Sequence, residues 1–288
     1  MPIPHHFIIT IHNAGDRLGE VISSVLKAAD HDSVIMPVLD GCNDESEEIV
    51  EGFRTKSSKV IKPIYTSDVH EIGAINAALA ALPFGHVFIL QDDVVIMAEN
   101  IGKFFNEKIL RSNPDVGYVS MRMGGGIHYT TYAKAIWHLI SSGFKIKSRL
   151  LDVVDVTYSE HDEISEVTPS VISSWAIKEI AVGIKSPVWI SANLRTKIPL
   201  LDRKLMPFCY DDVDMSIESL KLGYKNFLVA VPYRSEKHWG GTRKPNSSFT
   251  KLLGVVPVRN RAYLYKKHRC WLKNSPLVKL DGLFCSWF

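Results

Sequence analysis

The first ninety residues alternate short apolar runs with helix-period patterns, and this alternation constrains the fold more than any other feature of the chain. Phe7–Ile11 reads as a buried strand ending at His12-Asn13. Asp16 then opens a helix whose Leu18, Val21, Ile22, Val25 and Leu26 fall at helical spacing. Val34–Leu39 is a second strand broken at Asp40-Gly41, and Asp44 is placed to cap a helix carrying Glu45, Glu47 and Glu48 near its positive end. Val60–Tyr65, a helix over Glu71–Leu82 and a strand Val87–Leu90 running into Gln91-Asp92-Asp93 complete the series. Strands alternating with helices imply βαβ units and a mostly parallel sheet covered by helices.

The second half is less regular. A helix over Ala98–Arg111, a strand Val116–Met121, a glycine break at Gly124-Gly125-Gly126 and a helix over Tyr132–Leu151 are expected. They are followed by a short strand Val188–Ser191, a helix Asp211–Leu222 closed by Gly223, and a strand Phe227–Val231. With 46% hydrophobic and 23% charged residues over 288 positions, the chain can bury a proper core without staples. No apolar window approaches the roughly 18 residues of a spanning helix. Met1–His6 lacks the basic patch and apolar run of a secretory leader. Cys42, Cys209, Cys270 and Cys285 are scattered without metal-finger spacing, so a reducing, cytoplasmic setting is expected.

The formal charge of +3 hides an asymmetry. Residues 243–279 hold ten Lys/Arg and no Asp/Glu, which leaves the remainder at −7. A basic segment on an acidic body suits an anionic acceptor or an acidic membrane surface as well as plain solvation. No nucleic-acid motif accompanies it, so no nucleic-acid partner is expected.

In an open parallel sheet, ligands lie beyond the carboxyl ends of the strands. Thr10, His12 and Asn13 end the first strand, Asp40 the second, Asp92 and Asp93 the fourth. Neither G-x-x-x-x-G-K-S/T nor G-x-G-x-x-G is present, which disfavours a P-loop or dinucleotide enzyme. Two adjacent carboxylates repel unless a cation lies beside them, and hard oxygen ligands suit Mg²⁺ or Mn²⁺ shared with phosphates. The same pair can instead cap backbone amides. Asp211, Asp212 and Asp214 put three carboxylates in one helical turn, more than an N-cap needs, and a carboxylate beside a cleft is a natural general base.

The order of these pieces resembles the family 2 glycosyltransferases, which share the GT-A fold. Phe7-Ile8-Ile9-Thr10-Ile11-His12-Asn13 is similar to the opening I-P-x-Y-N strand, and Val38–Ser46 to V-D-D-G-S-T-D-x-S. Gly73–Leu79 is similar to the G-x-A-x-N-x-G-L helix, Leu90–Asp93 stands where the family has L-D-x-D, and Tyr210–Ser216 resembles E-D-x-D-L-S. The resemblance covers roughly residues 5 to 245. It implies a GT-A-like domain over 1–242, with a donor half to about 123 and an acceptor half from about 124, then a basic extension over 243–288 packing on or near the active site.

The resemblance implies a metal-dependent, inverting transferase that uses a nucleotide-diphosphate sugar, UDP-linked by preference. Thr10, His12, Asn13, Asn76 and Asp92 would line the nucleotide pocket, with Asp40 reading the base. Asp93 and His238 would hold Mn²⁺ or Mg²⁺, Asp212 would be the base, and Asp211 and Trp239 would face donor or acceptor sugar. The acceptor would be a glycan or a lipid-linked hydroxyl, with peripheral contact at the inner membrane face through the basic segment. Trp137, His138, Trp175 and Trp189 are candidates to stack on sugar rings, or are core residues. The chain departs from the pattern in five places: Gln91 replaces the first metal-motif carboxylate, His12 the aromatic and Thr10 the proline, Glu71-Ile72 stand near where a Lys/Arg is usual, and Asp211 replaces Glu with the charge kept. No Q-x-x-R-W block is present, which favours single transfer over polymerisation. The rival readings are a nucleotidyltransferase on a related sheet and a degenerate carbohydrate-binding protein.

Overall fold

The apolar alternation along the first strand sets up two layers. Phe7, Ile9 and Ile11 belong to one core cluster and Ile8 to the other, because successive side chains leave a strand on opposite faces. The computed structural model describes residues 3–130, 153–158, 177–235 and 255–280. Its first part runs β1 (His5–Ile11), α1 (Gly15–Ala28), β2 (Val34–Asp40), α2 (Ser46–Lys56), β3 (Val60–Ile61), β4 (Ile64–Thr66), α3 (His70–Ala81) and β5 (His86–Gln91). Next come β6 (Val95–Ile96), α4 (Ile101–Phe104) continuing into a π-turn, β7 (Val116–Ser120), β8 (Met123–Thr130), β9 (Val153–Tyr158), β10 (Ile177–Ile180) and β11 (Val182–Ile184). The described chain closes with β12 (Val188–Ile190), α5 (Ala192–Lys197), α6 (Asp211–Lys221), β13 (Lys225–Val229), β14 (Tyr233–Arg234), α7 (Val256–Asn274) and β15 (Val278–Leu280).

The main sheet has the order β10-β13-β7-β12-β5-β1-β2-β3, with β4 also on β2. β1, β2 and β5 are mutually parallel, while β12 lies antiparallel between β5 and β7. Leu18, Val21, Ile22 and Val25 of α1 close one face with Phe88 and Leu90. Ile72, Ile75, Ala78 and Leu79 of α3 close the other with Met36, Val38 and Ile89. Asp44 does more than cap one helix: Oδ1 accepts from Ser46 N at 3.1 Å, and Oδ2 accepts from Gly15 N at 2.8 Å, at the start of α1.

Two expectations are corrected. Val60–Tyr65 is two short strands rather than one, interrupted at Lys62-Pro63, where proline has no N–H for a ladder. Gly124-Gly125-Gly126 lies inside β8, not in a break. A Cβ at Gly124 would sit 2.9 Å from Val182 O, so the glycine admits the antiparallel neighbour β11. The expected helix over Tyr132–Leu151 lies outside the described residues. The basic C-terminal segment is tied into the body: Leu264, Tyr265 and Leu272 of α7 enter the second core cluster, and β15 pairs with β8. Among the described residues no helix is long and apolar enough to cross a membrane.

The starts of β1 and β5 bury two imidazoles in register. His5 pairs with His86, their rings stack at 4.7 Å, and His86 stacks on Trp189 at 4.9 Å. Trp189 Nε1 donates to His5 Nδ1 at 3.2 Å and Ala192 N donates to His86 Nδ1 at 3.1 Å, so each Nδ1 is an acceptor and each ring neutral. Burial lowers His5 to about 4 and His86 to about 3. The unfolded chain therefore takes up protons first as pH falls below about 6.5, and stability that is whole above that pH is lost on the way down to the folded values. Urea unfolding is expected to lose about 3 kcal/mol between pH 6.5 and pH 5. In the His5→Asn/His86→Asn double variant, which keeps an acceptor at each place, that slope should flatten; an unchanged slope would assign it to other groups.

Candidate active site

The carboxyl end of β5 is linked through Glu71 and Lys185 to the start of α6, and the candidate residues divide between a side expected to take the nucleotide and a side expected to carry the reaction. On the nucleotide side Asp40 is buried, its Oδ1 accepting from Thr66 Oγ1 at 2.7 Å and Val69 N at 2.8 Å. Gly41 follows at φ +61°, where a Cβ would meet Asp68 Cβ at 2.8 Å, so the tight turn after Asp40 requires glycine. His12 is exposed, with Nδ1 2.7 Å from Asp40 O. Asn13 Oδ1 accepts from Asn43 N at 2.9 Å, joining the ends of β1 and β2.

Asp92 is engaged from two directions. Oδ2 accepts from His12 N at 2.9 Å, while Arg17 reaches Oδ1 at 3.5 Å and the Asp92 carbonyl at 3.1 Å. Burial raises the Asp92 carboxyl to about 6, against the pull of the His12 amide and Arg17. Thr10 and Asn76, expected in the nucleotide pocket, serve the framework through their side chains. Thr10 Oγ1 donates to Leu90 O at 3.4 Å, and Asn76 is buried with both ends of its amide on the Leu201 backbone, at 3.0 and 2.7 Å. Trp189 is fully buried among His5, His86 and Phe105, which excludes it as a sugar platform. Trp137, His138, Trp175, His238 and Trp239 lie outside the described residues.

The reaction side is a charged cluster backed by apolar side chains. Lys185, from the turn between β11 and β12, donates from Nζ to both oxygens of Asp211 at 2.7 and 2.6 Å and lies 3.1 Å from Glu71 Oε2. Its backbone N–H donates to Asp212 Oδ2 at 3.1 Å, and Val213 N donates to Asp212 Oδ1 at 2.8 Å. Gln91 Nε2 donates to Glu71 Oε1 at 2.5 Å, and Ser186 Oγ accepts from Gln91 N at 2.9 Å. The contacts thus run from Asp92's neighbour Gln91 through Glu71 and Lys185 to Asp211 and Asp212.

Behind this cluster a small pocket is walled by Ile75, Ile89, Val188, Ile190, Leu201 and Met215. Low polarity there disfavours charge. Burial, then the like charge of Asp211, raises half-buried Asp212 to about 7, with Lys185 pulling the other way. Glu71 is raised by burial and by Asp211, again opposed by Lys185. Burial opposes the charge on Lys185, but Asp211, Glu71 and Asp212 outweigh it and hold the ammonium protonated. A carboxylate near 7 beside a cleft is matched to taking a proton at neutral pH.

Sequence reasoning named Asp211 and Asp212 but missed Lys185, which lies 26 positions away in a turn of unremarkable composition. The other acidic cluster on α6 is no vacancy for a cation. Asp214, Glu218 and His268 converge, yet Lys267 Nζ already stands 2.7 Å from Asp214 Oδ2 and 3.7 Å from Glu218 Oε1. For a divalent metal, the described residues at the strand ends offer Asp93, buried after β5. One carboxylate oxygen donor plus substrate phosphates is an ordinary ligand set for Mg²⁺ or Mn²⁺, and the Asp93 carboxylate at the end of β5 has the hard oxygen chemistry for that part.

A family model described as Glycosyl transferase family 2 matches residues 6–169. In shape the chain is similar to S. aureus TarS in complex with UDP-GlcNAc, at TM-score 0.54 and 12% identity over 89% of this chain and 66% of that one. It is similar to S. aureus TarS in complex with UDP at TM-score 0.51 and 12% identity over 81% of this chain and 60% of that one. Mannosyltransferase PcManGT from Pyrobaculum calidifontis, in complex with GDP-Man and Mn²⁺, is similar at TM-score 0.52 and 15% identity over 93% of this chain and 69% of that one. The chain thus spans less than two thirds of the two TarS chains, at 60% and 66%. Likeness at such identities establishes the fold, a mixed sheet of the GT-A kind. No protein of curated function matches in sequence.

Proposed function

Because the chain belongs to glycosyl transferase family 2, we propose that it transfers a sugar from a nucleotide-diphosphate donor, UDP-linked by preference, to a hydroxyl of a glycan or lipid-linked acceptor, with inversion. The observation that carries this reading is Asp212, held by two backbone amides at the start of α6 and raised to about 7. In the proposed step Asp212 takes the proton of the acceptor hydroxyl as its oxygen bonds to the anomeric carbon. The bond from that carbon to the donor phosphate oxygen breaks, and its electron pair leaves with the nucleoside diphosphate. Attack opposite the leaving group inverts the centre. Asp40 and His12 shape the base end of the pocket, and Arg17 fixes Asp92. Asp93 would hold Mn²⁺ or Mg²⁺, which supplies charge stabilisation to the departing diphosphate when bound.

Calorimetric titration of UDP and GDP, each with and without Mn²⁺, tests the donor half. One nucleotide is expected to bind at least about tenfold more tightly with metal present. Binding of neither to folded protein would sink the donor-site reading. Release of pyrophosphate rather than nucleoside diphosphate during turnover would replace the transferase step with nucleotidyl transfer.

A further inference from the structure

We propose that Lys185 is the resident cation of the reaction centre, a positioning residue that pins Asp211 with its ammonium and holds Asp212 through its backbone amide. The inference deepens the proposed function and rests on its assignment of Asp212 as the base. Two positions depart from the family pattern in charge. Gln91 stands where a carboxylate is expected, and Glu71 stands near where a Lys or Arg is expected. In the fold they meet, Gln91 Nε2 donating to Glu71 Oε1 at 2.5 Å. The two changes together exchange a carboxylate and a cation for an amide and a carboxylate. Without a positive partner, Glu71, Asp211 and Asp212 would stand as three acidic groups close together, the two aspartates lining an apolar pocket.

Lys185 supplies that partner from a different part of the chain. It is only 10% exposed and reaches Asp211 at 2.6 Å and Glu71 at 3.1 Å. The groups around the base from each neighbouring element are Asp211 of α6, Lys185 before β12, the Cys209 thiol before α6 and the Tyr118 hydroxyl of β7, with Glu71 of α3 on the far side of Lys185. Burial pushes Cys209 up to about 12 and raises Tyr118 as well, so both stay neutral near pH 7. Among these groups Lys185 is the only cation. It lowers the proton affinity of Asp212 and Asp211 raises it, while Glu71 acts through Lys185, whose ammonium it shares with Asp211.

The test compares Lys185→Met, Lys185→Arg and Glu71→Gln, using pH profiles of kcat/KM and the titration of the Asp212 carboxyl by ¹³C NMR in aspartate-labelled protein. In Lys185→Met the acid limb should move alkaline by at least about one unit, giving a roughly fivefold loss at pH 7 that is recovered near pH 9. Lys185→Arg should hold the wild-type midpoint. Glu71→Gln removes a like charge and should move the midpoint the other way, which keeps the proposal open to disproof if Lys185→Met does not fold. An unmoved Asp212 titration in both Lys185→Met and Glu71→Gln overturns it whatever the transfer assay shows. A shifted titration without transfer by the wild type upholds the coupling and removes the base assignment instead.

Discussion

Asp212→Asn is expected to lower transfer by about 10³-fold while leaving nucleotide affinity within about twofold, because a positioned general base contributes roughly 10²–10⁴. The amide is nearly isosteric, and its Oδ1 can still accept one of the two backbone N–H groups, from Lys185 or Val213, that now hold the carboxylate. What it cannot do is take a proton. Removing a half-buried charge that sits next to Asp211 should leave the fold intact or slightly more stable, so activity and stability will separate in this variant. In the wild type the same carboxyl predicts an acid limb of kcat with a midpoint near 7, rising as pH increases and the base loses its proton. Retention of more than a tenth of the activity in Asp212→Asn would move the base elsewhere. Loss of nucleotide binding alongside activity would mean that Asp212 serves the donor pocket instead.

The parts of this site that the sequence reveals are those whose signal is local. Asp40 ends a hydrophobic run and is followed by a glycine the turn requires; Asp211, Asp212 and Asp214 crowd one helical turn. Motif position places Thr10 and Asn76 on the expected strand and helix, but not the bonds of their side chains to the Leu90 and Leu201 backbone. Lys185 is invisible in one dimension because its meaning comes from a crossing: the β11–β12 turn arrives over α6 and α3, and no spacing encodes that. Glu71 and Gln91 were visible only as departures, and their bond needs the end of β5 and the start of α3 brought together. The glycines of β8 were misread for the reverse reason. A run of small residues signals flexibility locally, whereas here it admits a neighbouring strand. His5 and His86 lie just before the strands expected at Phe7–Ile11 and Val87–Leu90, and only their register across β1 and β5 makes them a buried pair.

Asn260→Leu is expected to cost about 3 kcal/mol and lower the melting temperature by about 8 °C, the largest stability loss we anticipate from a single polar side chain here. Asn260 sits fully buried on α7, and its Nδ2 lies 2.8 Å from Leu205 O, 3.0 Å from Phe208 O and 2.9 Å from Cys209 O. These carbonyls belong to the segment that delivers Asp211 and Asp212. In that segment Cys209 and Tyr210 both take left-handed backbone, at φ +71° and +68°, a conformation that residues with side chains adopt only when the surroundings impose it. The amide of Asn260 is part of what imposes it. Leucine matches the volume but strands the carbonyls without a donor. Asn260→Asp is the sharper control, since it preserves shape, removes both N–H donors and sets a carboxyl against carbonyl oxygens. It should destabilise at least as much as leucine and reduce kcat more than it alters KM for the donor, because the displaced segment carries Asp212, the proposed base, rather than Asp40, proposed to read the nucleobase. A loss below about 1 kcal/mol in Asn260→Asp, measured by urea unfolding at pH 7, would show that the left-handed pair stands without its latch. The basic C-terminal helix would then be a covering of the active-site loop and not its support.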